Sequence, residues 1–136
     1  MASGPPELLR HFLSVLTTFD PGVIMPLMGP DPALEFPYAQ DGLPRAVRGR
    51  DDVDRFWANM SRSFRELTVY DITTYAMVED GLAMATWRSD GITGGRHARP
   101  YRNNYVSLIR TSNGLVDWYC EYFDPMVGIK AFSQPK

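Results

Sequence analysis

The spacing of apolar positions changes once along the chain, near residue 67. Before that point apolar residues recur at helical intervals. Leu8, Phe12, Val15, Leu16 and Phe19 fall on one face. They follow Pro5-Pro6-Glu7, where proline fits a first helical turn and an acid suits the positive end of the dipole. Asp20-Pro21 predicts an N-cap and the start of a second, shorter helix. Pro26 limits that helix, and Gly29-Pro30-Asp31-Pro32 ends it. Residues 33–38 predict a short strand, and residues 40–49, with two Gly and one Pro, a loop. A third helix starts near Asp51. Its apolar stripe is Val53, Phe56, Trp57, Met60 and Phe64, at i, i+3, i+4, i+7 and i+11.

From residue 67 the period becomes two. Residues 67–78 and 82–92 predict a hairpin about Glu79-Asp80-Gly81. Residues 100–110 and 115–123 predict another about Ser112-Asn113-Gly114. Residues 91–99 form the one wide connection here, and three Gly with His97 and two Arg predict a mobile loop. Asp124-Pro125 predicts a capped helical turn through Phe132, followed by a tail without structure signals. Helices segregated from a four-stranded antiparallel meander make an α+β domain. Strands this long twist strongly, and a curved sheet under helices leaves a pocket.

Size and charge narrow the picture. A chain of 136 residues predicts a single domain over 1–136. The net charge of −2 gives no global pull toward nucleic acid or anionic membrane. The single cysteine, Cys120, cannot form an internal disulfide, so a cytoplasmic location is expected. Glu7, Arg10 and His11 interrupt the first apolar run, which does not read as a signal peptide. No stretch of about 20 apolar residues predicts a membrane span. Asp51-Asp52 suit a helix N-terminus and do not predict a metal site. No glycine-rich phosphate loop, zinc spacing or serine elbow appears.

The candidate chemistry lies in Tyr119-Cys120-Glu121-Tyr122-Phe123-Asp124-Pro125. On a strand, Glu121 shares a face with Tyr119 and Phe123; Trp118, Cys120 and Tyr122 share the other. Both faces are apolar, as for a strand covered by helices on one side and a partner subunit on the other. Glu121 is then a pocket acid/base, a structural hydrogen-bonding group, or a solvated carboxylate. Burial would raise its pKa, and a nearby Arg would lower it. Asn103 and Tyr105 share a face and are candidates to orient a carbonyl. Tyr38, Tyr75 and Tyr105 could present hydroxyls to an oxyanion, or could simply bury their rings. Trp87 and Ser89 point inward because Ala83 and Ala85 precede them on that face, which turns Arg88 and Asp90 outward. With Phe36, Trp57, Met60, Phe64, Tyr119 and Phe123 they complete the expected substrate-binding set. Arg96, His97, Arg99 and Arg102 form a local basic cluster, either a solvated rim or a landing site for an anion. Nucleic-acid binding would need a wider basic face with aromatics. Cys120, opposite Glu121 and without a neighbouring His, does not predict thiol chemistry.

Three segments carry a family resemblance: Glu35-Phe36-Pro37-Tyr38-Ala39 with Gly42, Pro44, Gly49-Arg50 and Val53; Pro100-Tyr101-Arg102 with Tyr105, Ser107 and Ile109; and Tyr119 with Glu121-Tyr122-Phe123-Asp124-Pro125. They resemble the phenazine-biosynthesis A/B proteins, within the SnoaL-like branch of the nuclear transport factor 2-like (ketosteroid isomerase-like, cystatin-like) superfamily. The resemblance covers residues 7–132. It implies a cone-shaped α+β half-barrel, a curved antiparallel sheet with three helices over its concave face. It also implies a homodimer formed through the sheet, a deep apolar pocket, and no metal or organic cofactor. The phenazine proteins use a carboxylate on the last strand as general acid/base, and Glu121 falls there. They also use a pocket histidine that this chain lacks: its histidines are His11 and His97. That departure argues against the same condensation by the same residues.

The resulting expectation is a cofactor-free enzyme of secondary metabolism acting on an apolar, ring-containing or polyketide-like substrate. Glu121 would move a proton in an isomerisation, cyclisation or condensation. A non-catalytic binding protein with the same pocket is the alternative. An epoxide hydrolase would need an Asp-Arg-Asp network, which the sequence does not assemble.

Overall fold

A computed structural model describes residues 4–132; the tail expected after Phe132 lies outside the described residues. The elements are α1 (Pro5–Leu16), α2 (Pro21–Ile24), a 3-10 turn (Met25–Leu27), β1 (Met28–Glu35), β2 (Ala46–Arg48), α3 (Arg50–Met60), β3 (Phe64–Ala76), β4 (Leu82–Thr93), β5 (Pro100–Ser112), β6 (Leu115–Phe123) and α4 (Pro125–Phe132). The α+β class holds. One six-stranded sheet runs β2-β1-β6-β5-β4-β3. β3 to β6 form the expected meander. β1 is parallel to β6, so the curved sheet is mixed rather than antiparallel.

Local chemistry sets the element ends. Pro21 opens α2, and the Asp20 carboxylate accepts from Gly22 N at 2.9 Å. Asp124 does the same for α4, accepting from Met126 N at 3.0 Å. The β5–β6 turn places Asn113 at φ 54° and Gly114 at φ 75°, the two left-handed positions of a tight hairpin. Asp51 and Asp52 sit in the first turn of α3, with Asp52 paired to Arg55.

Three expectations need correction in the first half. α3 ends at Met60, so Phe64, expected on its apolar stripe, instead opens β3. β1 begins at Met28, not at residue 33, and runs through Pro30 and Pro32. Prolines cannot donate to a ladder, and the β1–β6 register slips between Met28 and Ala33, where the prolines lie. Arg50, at the start of α3, satisfies stranded carbonyls there, donating to Gly29 O at 2.8 Å, Met25 O at 3.1 Å and Met28 O at 3.2 Å. The expected loop 40–49 contains β2, a three-residue strand too short to show a period.

The core lies between α1 and the concave face of the sheet. α1 buries Leu9, Phe12, Leu13 and Leu16 against β3, β4 and β5. Removing one such side chain would cost about 2–5 kcal/mol. β4 sends Ala83, Ala85, Trp87 and Ser89 inward, as the parity predicts, and β5 sends Tyr101, Asn103, Tyr105, Ser107 and Ile109. Arg88 and Asp90 face out, Arg88 to Asp71 and Asp90 to Arg102. β3 carries one extra residue between Tyr70 and Thr73, where Asp71 has φ 55°. This bulge shifts the inward positions from Leu67 and Val69 to Ile72 and Thr74.

The wide connection contracts to residues 94–99 and is tied down. Thr93 N donates to Arg99 O at 2.9 Å, Arg99 N to Thr93 Oγ1 at 2.9 Å, and Gly94 N to Ser63 O at 2.8 Å. These bonds pin both ends of a segment expected to be mobile.

Candidate active site

The concave face and α1, α3 and α4 enclose a cavity of about 380 Å³. Its walls are mainly aromatic. Trp87 and Tyr105 stack at 3.7 Å, and Phe36 and Phe56 at 5.1 Å. Of the expected residues, Phe36, Trp57, Met60, Phe64, Trp87, Tyr105, Glu121 and Phe123 line it. Glu121 is the one carboxylate among the described lining residues, and no Lys, Arg or His accompanies it. The Arg96–Arg102 cluster contributes nothing to this wall. Arg96 and His97 lie on a separate surface hollow, and Arg102 pairs with Asp90 on the outer face.

Glu121 reaches the cavity because β6 alternates. Tyr119, Glu121 and Phe123 point inward, and Ser107 of β5 lies directly opposite Glu121 in register. The Tyr119 hydroxyl donates to Glu121 Oε1 at 2.6 Å. Glu121 is half-buried and lines the cavity. Burial pushes its pKa from an ordinary 4.5 to about 7, partly offset by the bond from Tyr119. Neutral pH therefore populates both of its protonation states.

Tyr119 and Ser89 lie beneath the cavity floor rather than in it. Both are fully buried. Tyr119 supports Glu121, and Ser89 shares a 2.6 Å hydrogen bond with the Tyr105 hydroxyl. Asn103, expected to orient a substrate carbonyl, is 2% exposed and does not line the cavity. Its Oδ1 accepts from Asn104 N at 2.8 Å and Asp124 N at 3.1 Å. These bonds fix the amide, so its Nδ2 donates to Asp124 O at 3.1 Å and to the Tyr101 hydroxyl oxygen at 2.8 Å. Asn103 braces the start of α4, and Tyr101 stands at the cavity surface in its place.

Tyr38 and Tyr75 are displaced altogether. Tyr38 is 57% exposed and meets Tyr122 edge-on at 5.2 Å. Tyr122 is on the outer face, and the chain turns there after β1 ends at Glu35. Tyr75 is 45% exposed because the Asp71 bulge reverses the parity of β3 ahead of it.

The sequence reading missed Tyr101 although it shares parity with Asn103 and Tyr105. It placed Phe56 on the α3 stripe but not in the substrate-binding set, and Leu43 sits in a loop without a period. All three line the cavity. The buried indole Nε1 of Trp57 has no hydrogen-bond partner among the described residues. Burial and the nearby Glu121 and Asp124 carboxylates raise the Tyr101 pKa, and burial does most to raise that of Tyr105, so both phenols stay protonated donors. Cys120 faces away from the cavity. Its thiol is pushed up to about 11, by burial and then by Glu35, and is chemically quiet.

Sequence and structure comparisons give the chain its relatives. The pattern of the SnoaL-like domain matches residues 9–119. An uncharacterized PhzA/B-like protein of Pseudomonas aeruginosa is 31% identical over 130 residues, covering 92% of this chain and 87% of that protein. A Bacillus subtilis protein provisionally called an isomerase superposes with a TM-score of 0.84 at 27% identity, over 93% of this chain and 90% of that one. A phenazine biosynthesis-related protein of Pseudomonas aeruginosa gives a TM-score of 0.75 at 16% identity, over 97% and 91%. That last likeness shows the fold alone.

Proposed function

The chain belongs to the SnoaL-like domain family, and from that premise we propose that it is a small acid/base enzyme of secondary metabolism acting on an apolar, ring-containing or polyketide-like substrate. The observation that carries the reading is Glu121, the one carboxylate among the described lining residues, in an apolar cavity to which those residues bring no cation. A carboxylate paired with Arg would stay ionised through neutral pH. One enclosed by aromatic walls can both take and return a proton there.

In this mechanism ionised Glu121 removes a proton from carbon beside a carbonyl. The hydroxyls of Tyr101 and Tyr105 face the oxygen on which negative charge grows. Asn103 cannot be that donor, since its amide is held by backbone. It acts one step back, because its N–H donates to the Tyr101 oxygen and so turns the Tyr101 proton away from Asn103. Protonated Glu121 then returns the proton at another carbon, giving isomerisation, or assists closure of a ring. The resemblance to the Bacillus subtilis protein provisionally called an isomerase supports this class of chemistry.

The test is a panel of cyclic ketones and polyketide-like ring precursors, followed by proton exchange at carbon and by product formation. Glu121→Gln keeps size and hydrogen bonding, so it should fold normally and lose most of the rate. Full turnover by Glu121→Gln would overturn the proposal. A ligand that binds, returns unchanged and does not sense Glu121→Gln would favour the binding-protein reading.

We propose also that two copies pair through the outer sheet face. Tyr38, Tyr122 and Val106 form an apolar strip there, with Val106 opposite Tyr122 in register and both Tyr38 and Val106 exposed. Sedimentation at the monomer mass of 15.4 kDa would overturn that assembly.

A further inference from the structure

From the cavity wall at Trp87, three side chains lead in turn to Glu121, two of them beneath the floor. Trp87 Nε1 donates to Ser107 Oγ at 2.9 Å. Ser107 Oγ and the Tyr119 hydroxyl are 2.9 Å apart, and the Tyr119 hydroxyl donates to Glu121 Oε1 at 2.6 Å. Ser107 and Tyr119 are fully buried, and Trp87 nearly so. They come from three adjacent strands, β4, β5 and β6.

The direction of this row is forced from both ends. An indole N–H can only donate, so Ser107 must accept from Trp87. An ionised carboxylate can only accept, so Tyr119 must donate to Glu121. The middle bond then runs from the Ser107 hydroxyl to the Tyr119 oxygen, and every proton points toward Glu121. Reversal would need the Tyr119 hydroxyl to donate to Ser107. Ser107 would then accept from both neighbours, and its own proton would lose its place in a site without water access. Leaving a buried donor unmatched costs about 1–3 kcal/mol. The row is also a dead end for conduction, because the indole neither releases its proton nor takes another. Glu121 can exchange its proton only toward the cavity.

From this geometry we infer that Trp87 and Ser107 are positioning residues: through Tyr119 they lock a hydrogen bond onto the Glu121 carboxylate and thereby set its acid strength. The inference builds on the acid/base reading of Glu121 but is tested apart from it. The other groups facing Glu121 are the phenols of Tyr101 and Tyr105 on β5, both protonated. α1, α3 and α4 bring no charged side chain to the described cavity wall. The row is therefore the main polar influence opposing the burial of Glu121.

The experiment is titration of the Glu121 side-chain carboxyl by NMR in the unliganded protein and in three variants. Tyr119→Phe removes the final bond and should raise the Glu121 pKa by about one unit. Ser107→Ala leaves that bond possible but unoriented, and should raise it by about half a unit. Trp87→Phe keeps the ring against Tyr105 and removes only the N–H, and should give a smaller rise in the same direction. A structural role alone would lower stability and leave the titration where it was. If Ser107→Ala and Trp87→Phe, both folded, titrate like the parent, the inference is wrong. If Ser107→Ala does not fold, Trp87→Phe decides alone. No substrate is involved, so failure here leaves the Glu121→Gln turnover test standing. Conversely, an inactive role for Glu121 would leave these shifts in place.

Discussion

β6 and its neighbour β1 hold two carboxylates on opposite faces of one sheet, and they live in different electrostatic worlds. Glu35 lies outside. It accepts from Trp118 Nε1 at 3.1 Å and has the Arg48 guanidinium 3.7 Å away. Glu121 lies inside. It too accepts a hydrogen bond from an aromatic side chain, but among the described residues no cation lines the cavity around it, which is apolar. A partner hydrogen bond is common to both. The lack of a cation among the described lining residues and the apolar walls distinguish Glu121 from Glu35, and the proposed proton transfer rests on that difference.

The comparison breaks first at activity. Glu121→Gln should lower turnover by about 10²–10⁴-fold, the usual worth of a general acid/base, while Glu35→Gln should leave it unchanged. Steady-state kinetics on any turned-over substrate separates the two.

Stability gives the next largest effect, with a definite sign. Glu121 binds its proton more tightly in the folded chain than in the unfolded one, so the folded state gains protons between pH 4.5 and about 7. Its contribution is favourable below 4.5 and is lost as pH rises through 7. Glu121→Gln should therefore stabilise the protein above pH 7, by at most about 3 kcal/mol. The gain should vanish toward pH 4.5, as urea unfolding at a series of pH values would show. A variant that is destabilised at pH 8 would mean that the carboxylate is paired after all.

Asn103→Ala should cost about 1–2 kcal/mol, because it removes the acceptor of the part-buried hydrogen bonds from Asn104 N and Asp124 N. It should also loosen the start of α4, visible as faster amide exchange near Met126. At the small end, Arg48→Ala should change stability by less than about 1 kcal/mol, as expected of an exposed pair. Its effect should fade with added salt.

How far the sequence foretold this site depends on what kind of signal each residue carried. Alternation placed Glu121, Trp87 and Phe123 correctly, because β4 and β6 keep regular period-two faces at those positions. It failed at Tyr75, where one inserted residue at Asp71 reverses every later side chain in β3. It failed at Tyr38 because no periodic element follows β1. It put Asn103 on the correct face but gave it the wrong task. Parity says which way a side chain points, not whether backbone donors reach it first. Ser107 entered only as part of a family resemblance. A serine on a buried face has no reading until the indole and phenol on either side are located. The fold itself was legible from the switch in period and the turn residues. The parallel β1–β6 pairing was not, since it joins strands far apart in the chain, and β2 is too short to show a pattern.

The measurement that bears most directly on the account is the pH titration of the Glu121 carboxyl, assigned by its disappearance in Glu121→Gln. The account predicts a midpoint near 7, from a carboxyl held in an apolar cavity and restrained by Tyr119. A midpoint at or below 4.5 would mean a solvated or paired carboxylate, and would contradict proton transfer by Glu121 as the function of this cavity.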